Sequence, residues 1–293
     1  MMTNRRIFLK QASMLVTGGL LSSYMLPNYG ATVAAKKHIG LQLYSLRDDL
    51  KEIGLQKTLE IVAKMGYVNL ETSGYNDGKI YNLQPTEFKK IIDGSGLTVT
   101  SAHLNRNPSN NHDEDMKWWS KAIEAYAIAG VKYMMIPSSS LDGRGATMDN
   151  VKRYGDYFNE IGLMTARSGV ALGYHNHAYE FKNKIDGVPI YDLLLKVTSP
   201  DHVLFENDVY WTKQGGYDAV DYLKKYPNRI KVLHIKDDKA IGASGKIDFK
   251  AIFDQAYANG IKDWYVEVEE YNGTPQEDVK QSYDFLANAD YVK

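Results

Sequence analysis

The sequence predicts a single closed parallel barrel of eight β/α units, a (β/α)8 fold, and three observations predict it. Eight short apolar runs alternate with longer amphipathic segments, glycine recurs at five of the helix-to-strand junctions, and no Pro/Ser-rich linker or shift in composition divides the chain. A length of 293 residues suits one such domain, since these barrels take about 250.

In chain order the runs are Ile39–Tyr44, Tyr67–Glu71, Leu97–His103, Tyr133–Ile136, Val170–His175, Val203–Asp208, Ile230–Ile235 and Trp264–Glu267. Each is short and rich in β-branched or aromatic residues, as a strand buried on both faces must be. Between them lie helical stripes such as Leu55, Leu59 and Val62, or Phe88, Ile91 and Ile92, long enough to cross back over a sheet. Asn111-His112-Asp113-Glu114-Asp115 reads as a helix start with favourable dipole charge, and Trp118 and Trp119 as packing residues. Gly66, Gly96, Gly130, Gly169 and Gly260 stand where a helix must stop, because glycine takes the left-handed cap without steric cost. An open doubly wound sheet would want a glycine-rich loop after its first strand, and Leu43-Tyr44-Ser45-Leu46-Arg47 has none.

Residues 1–35 read as an address, leaving 36–293 as the catalytic domain. Arg5 and Arg6 precede an uncharged apolar stretch from Met14 to Leu26, and small residues end it at Val33-Ala34-Ala35, which resembles a twin-arginine export signal. About thirteen apolar residues are too few to span roughly 30 Å of hydrocarbon, so export to the periplasm is expected, with no membrane association beyond the signal. Its removal takes Arg5, Arg6 and Lys10 and no acid, so 35 basic residues fall to 32 against 36 acidic ones, and the net charge moves from −1 to −4. Such a chain offers no basic surface for nucleic acid. With no cysteine, disulfides and thiolate chemistry are excluded, and histidine and carboxylates are the strong metal ligands available.

Active sites of such barrels lie at the C-terminal ends of the strands. Asp208, His234 and Glu267 each end an otherwise apolar run, and on neighbouring strands they would converge. Two carboxylates and an imidazole facing one another without a cation are costly, and a divalent ion removes that cost. One histidine with two or three carboxylates selects Mn²⁺, Mg²⁺, Co²⁺ or Zn²⁺. Tyr44 and Trp211 offer flat aromatic faces for stacking on a ligand, or rim packing. His103, Lys236 and Arg47 offer hydrogen bonds to hydroxyls or a carbonyl, with Glu71 orienting His103 or Arg47.

Tyr174-His175-Asn176-His177-Ala178-Tyr179-Glu180-Phe181, Asp208-Val209-Tyr210-Trp211, Leu233-His234-Ile235-Lys236-Asp237 and Val266-Glu267-Val268-Glu269 together resemble the xylose isomerase-like TIM-barrel superfamily of sugar phosphate isomerases and epimerases. The resemblance implies one divalent metal held by a carboxylate after the fifth strand, Asp208, His234 and Glu267. At the fifth-strand position this chain has His175, with His177 and Glu180 as alternates, so His175, Asp208, His234 and Glu267 are the expected ligands. The family's two-glutamate epimerisation is weakened by that histidine, which leaves a single-base reaction with Glu267 as base, His175 and Glu180 as further catalytic candidates, and Glu269 and His177 in the substrate shell. The expected activity is isomerisation or epimerisation of an unphosphorylated sugar or keto sugar by proton abstraction next to a carbonyl. The alternatives are an inosose-type dehydratase or lyase, and a non-catalytic sugar-binding barrel. A small sugar or polyol is the expected partner, and the sequence leaves the oligomeric state open.

Overall fold

The computed structural model describes residues 37–293; the expected export segment lies outside the described residues. Eight parallel strands close into a barrel: β1 (Gly40–Gln42), β2 (Asn69–Thr72), β3 (Thr98–His103), β4 (Tyr133–Ile136), β5 (Ala171–His175), β6 (Val203–Asp208), β7 (Ile230–Lys236) and β8 (Asp263–Glu267). Each pairs with its sequence neighbours, and β1 pairs with β8 through Gly40↔Tyr265 and Leu41↔Val266, which closes the ring. The eight expected runs each contain one of these strands or most of it.

The main crossover helices are α1 (Gly54–Met65), α2 (Pro85–Ser95), α3 (His112–Ala129), α4 (Met148–Arg167), α5 (Ile190–Val197), α6 (Ala219–Lys225), α7 (Phe249–Ala258) and α8 (Pro275–Asn288). Gly66, Gly96 and Gly130 end the first three in left-handed conformations, with φ of 113°, 73° and 86°. Asn111 caps α3 by accepting the Glu114 amide at 3.2 Å, as its sequence suggests. Trp119 is buried and donates to Tyr157 Oη at 2.7 Å, a packing role.

Most apolar side chains fill the layer between barrel and helices. A separate cluster of Met135, Val232 and Tyr265, with Tyr133 and Leu204 against it, fills the barrel interior. Its placement follows from strand alternation, since Val232, Tyr265 and Leu204 each precede an inward polar residue by two. Tyr265 and Met135 need room there, and Gly40 and Gly173 supply it. A Cβ on Gly173 would stand 2.3 Å from Met135 Sδ, and one on Gly40 would stand 2.6 Å from the Trp264 carbonyl.

Two irregularities shape the layer above. In β3 the register slips between Val99 and Ser101, so Thr100 and Ser101 both face inward: Thr100 Oγ1 meets Tyr265 Oη at 2.6 Å, and Ser101 donates to Glu71 at 2.6 Å. At β1 the strand stops earlier than its apolar run. Gln42 Oε1 accepts the Tyr44 amide at 3.1 Å and coils Leu43–Leu46 into a 3₁₀ turn, which carries Tyr44 away from the barrel axis.

Candidate metal centre at the barrel mouth

Four strands deliver four donors. His175 ends β5, Asp208 ends β6, His234 lies two residues from the end of β7, and Glu267 ends β8; their ligand atoms all lie within 4.8 Å of one another, and all four residues are buried. These are the four residues expected to hold a cation. Glu267 Oε2 stands 3.4 Å from His234 Nδ1, and Asp208 Oδ2 4.0 Å from the same nitrogen.

Asp208 divides its carboxylate. Oδ1 accepts the Trp211 amide at 2.7 Å and caps the short helix Val209–Gln214, while Oδ2 is buried with no hydrogen-bond partner among the described residues. Asn176 fixes the Asp208 backbone from the side, its Oδ1 accepting the Asp208 amide at 3.1 Å. Burial pushes the Asp208 carboxyl up to about 8, although Lys236 and His234 pull it down. A buried, unpartnered carboxylate oxygen beside an imidazole and a second carboxylate is a fit for a divalent cation.

Lys236 completes the rim of this group. Its ammonium is buried, 3.2 Å from Glu267 Oε2 and 2.7 Å from Glu269 Oε2, and 5.5 Å from the centre of the Trp211 ring. Burial raises the Glu267 carboxyl and opposes its ionisation, but Lys236 and His234 outweigh burial and hold it well below the ordinary range. His177 stacks with Tyr179, and its Nδ1 has no partner among the described residues. Burial lowers its imidazole to about 4, so it is neutral near pH 7. Trp211 Nε1 is likewise buried and unpartnered.

Beneath lies a hydrogen-bonded layer that joins the expected His103 and Glu71 to Glu206, which is not among the expected site residues. Glu206 on β6 is fully buried, with Oε2 3.0 Å from His103 Nε2 and 3.1 Å from His175 Nδ1. Glu71 accepts from Gln42 at 2.7 Å and from Ser101, touches His234 Nε2, and lies 3.0 Å from His103 Nε2. The signal for Glu206 is strand alternation: if Asp208 points inward, so does the residue two before it. Burial and the charge of Glu71 raise the Glu206 carboxyl. Burial disfavours an imidazolium at His103, but Glu71 and Glu206 push it up to about 9.

Several expected site residues lie elsewhere. Glu71 is fully buried and committed to this layer, and of the two residues it is expected to orient it contacts His103 and not Arg47. Arg47 is engaged at the rim, donating to Tyr271 Oη at 2.6 Å and the Glu269 carbonyl at 2.8 Å. Tyr44 is exposed and packs on that guanidinium. Glu180 is not brought to the donor group: it lies in the first turn of the short helix Tyr179–Lys182 and accepts from Tyr174 Oη at 2.6 Å and the His177 amide at 2.8 Å. Tyr174 alternates with His175 on β5 and so faces the helices, taking Glu180 with it.

The family model described as xylose isomerase-like TIM barrel matches residues 59–289. A solved sugar phosphate isomerase/epimerase from Parabacteroides distasonis is 38% identical, with a TM-score of 0.82 over 88% of this chain and 100% of that one. An inosose dehydratase from Geobacillus thermodenitrificans is 24% identical over 75% of this chain and 84% of its own length. The IolI protein, solved with a binding zinc atom, shares the fold at 18% identity and a TM-score of 0.67, over 87% of this chain and 98% of that one.

Proposed function

The chain belongs to the xylose isomerase-like TIM barrel family, and from that premise we propose a metal-dependent isomerase or epimerase acting on an unphosphorylated sugar or keto sugar. The observation that carries the reading is the convergence of His175, Asp208, His234 and Glu267, with Asp208 Oδ2 buried and unpartnered. Two imidazoles and two carboxylates suit Zn²⁺, Co²⁺ or Mn²⁺ better than Mg²⁺, which prefers oxygen donors. The zinc in the IolI structure supports the same choice.

His175, Asp208, His234 and Glu267 would hold a divalent cation, which would supply Lewis acidity toward a substrate carbonyl. Glu267, kept ionised by Lys236, would take the proton from the carbon next to the carbonyl and return it to the former carbonyl carbon, while the hydroxyl proton passes to the former carbonyl oxygen, a 1,2 shift needing one carbon base. Lys236 offers an N–H to a substrate oxygen from the same side. His177 Nδ1 and Trp211 Nε1, both buried and unpartnered, offer hydrogen bonds to ring hydroxyls. The side chains Arg47 and Lys236 are already engaged with Tyr271 and with two carboxylates, which favours a neutral sugar over a phosphorylated one. Export through the twin-arginine route is part of the proposal, and phosphate esters are mostly retained in the cytoplasm.

The inosose dehydratase relative supports a second reading, in which the same deprotonation is followed by loss of a hydroxyl from the next carbon. One experiment separates these. The zinc-loaded protein is incubated in D₂O with unphosphorylated ketoses, keto-glycosides and an inosose, and products are read by NMR and mass. Deuterium at one carbon with conserved mass otherwise supports isomerisation, and loss of 18 mass units supports elimination. Saturable binding without exchange, unaffected by chelator, would leave a sugar-binding barrel.

A further inference from the structure

His175 and His234 each face two groups at once. The upper set is the cation site; the lower consists of His103, His175, Glu206 and His234, whose donor atoms also lie within 4.8 Å of one another. Each imidazole divides its nitrogens between the two. His175 Nδ1 is 3.1 Å from Glu206 Oε2, which leaves Nε2 for the upper set; His234 Nε2 rests on Glu71, which leaves Nδ1 beside Glu267 and Asp208.

A second cation in the lower set would require both imidazoles to lose their last N–H and bridge two ions. Protons account for the contacts of Glu71 and of Glu206 Oε2 without that, while Glu206 Oε1 is buried with no partner among the described residues. Three ring nitrogens, His175 Nδ1, His234 Nε2 and His103 Nε2, meet two carboxylates, and His103 lies 3.0 Å from each of them. Glu71 is further fixed by Gln42 and Ser101, so its position does not depend on the histidines. Glu206 is held by strand geometry, since it stands directly opposite His175 in the β5–β6 register.

We infer that Glu206 and Glu71 are positioning residues that grip the far nitrogens of His175 and His234, with His103 as the bridge between them, so that both imidazoles turn an unprotonated nitrogen to the cation. The inference rests on the cation-binding reading above. It assigns Glu206 a role tied to His175: a carboxylate in the fifth-strand position would need no hydrogen-bond acceptor behind it, whereas an imidazole ligand does. Buried carboxylates behind the ligands also raise the basicity of the two nitrogens, which strengthens their bonds to a borderline ion.

The test uses the full barrel domain with zinc alone as probe. Zinc affinity is measured by competition with a chromophoric chelator for wild type, Glu206→Ala and Glu206→Gln, and long-range ¹H–¹⁵N spectra of cation-free wild type read the His175 tautomer. Expected are a wild-type His175 protonated at Nδ1, one zinc per chain, a loss of about 10–100-fold in affinity for Glu206→Ala, and substantial recovery in Glu206→Gln, whose amide oxygen still accepts the Nδ1 proton. A His175 protonated at Nε2, wild-type affinity in Glu206→Ala, or two zinc ions per chain overturns the inference while the cation reading stands. A wild-type chain that takes up no zinc overturns the cation reading itself and this inference with it.

Discussion

The ammonium of Lys236 sits 3.2 Å from Glu267 Oε2 and 2.7 Å from Glu269 Oε2, buried with the proposed base rather than exposed at the rim. Removing one member of a buried pair leaves the other charge uncompensated, at a cost of about 3–5 kcal/mol. Lys236→Met is therefore expected to lower the unfolding free energy of chelator-treated protein by roughly that amount, and excess zinc is expected to restore much of it. Denaturant unfolding with and without zinc measures both. Equal losses in the two conditions would show that Glu267 does not share its charge with a bound cation.

Asp208→Asn separates capping from cation binding. The amide oxygen can keep the cap on the Trp211 amide, now 2.7 Å from Oδ1, while the charged Oδ2 disappears. The metal-free variant is expected to melt close to wild type, because burial already disfavours the Asp208 charge, while zinc affinity falls by roughly 100-fold or more. Differential scanning calorimetry and the chelator competition report the two quantities independently.

Glu180 gives the fold a pH dependence away from the donor group. Burial raises its carboxyl from 4.5 to about 7, so the folded protein holds a proton that the unfolded chain has released between those values. The stability linked to that proton is complete below pH 4.5 and is lost as pH rises through 7. Glu180→Gln is expected to flatten this component, narrowing its deficit against wild type by up to about 3 kcal/mol between pH 4.5 and 8. Its amide can donate to Tyr174 Oη while its oxygen accepts the His177 amide. Unfolding curves at the two pH values decide it, and parallel losses would contradict the assignment.

Gly173→Ala tests the packing beneath His175. The new Cβ would stand 2.3 Å from Met135 Sδ and 2.7 Å from Leu204 Cδ1, a crowding worth about 1–3 kcal/mol. Met135→Ala alone opens a cavity, at about 2–5 kcal/mol. The double variant is expected to lose less than the sum of the two, because each change relieves the other. Urea midpoints of the four proteins give the coupling directly.

Export is tested by Arg5→Lys with Arg6→Lys in the full chain. The double substitution keeps the charge and is expected to leave the protein in the cytoplasmic fraction, whereas the unaltered chain is recovered from the periplasm. Equal distribution would rule out the twin-arginine route.

The barrel is legible because its strands are buried on both faces and so read as short, mostly apolar runs, with charged or imidazole side chains gathered toward the end that meets the mouth. That contrast also exposes Asp208, His234 and Glu267. Three things escape it. Glu206 looks like an interruption of its run until alternation from Asp208 is applied. Tyr44 continues the first apolar run, but the Gln42 side chain ends the strand before it by bonding the Tyr44 amide, a competition between side chain and ladder that composition does not reveal. Glu180 follows His175 by five residues, yet the chain has already turned into a helix, and its carboxylate follows Tyr174 to the outer layer.

The join between the first and last strands is short, and contacts at the rim extend it. Ser45 Oγ accepts the Val268 amide at 2.9 Å, Tyr271 Oη reaches the Ser45 carbonyl at 3.0 Å, and Arg47 ties into the same turn. Loss of those rim contacts would weaken the closure of the ring at this seam. An opening there would carry Glu267 away from the three donors on the other strands, so the hinge of any such local unfolding and the proposed chemistry share one seam.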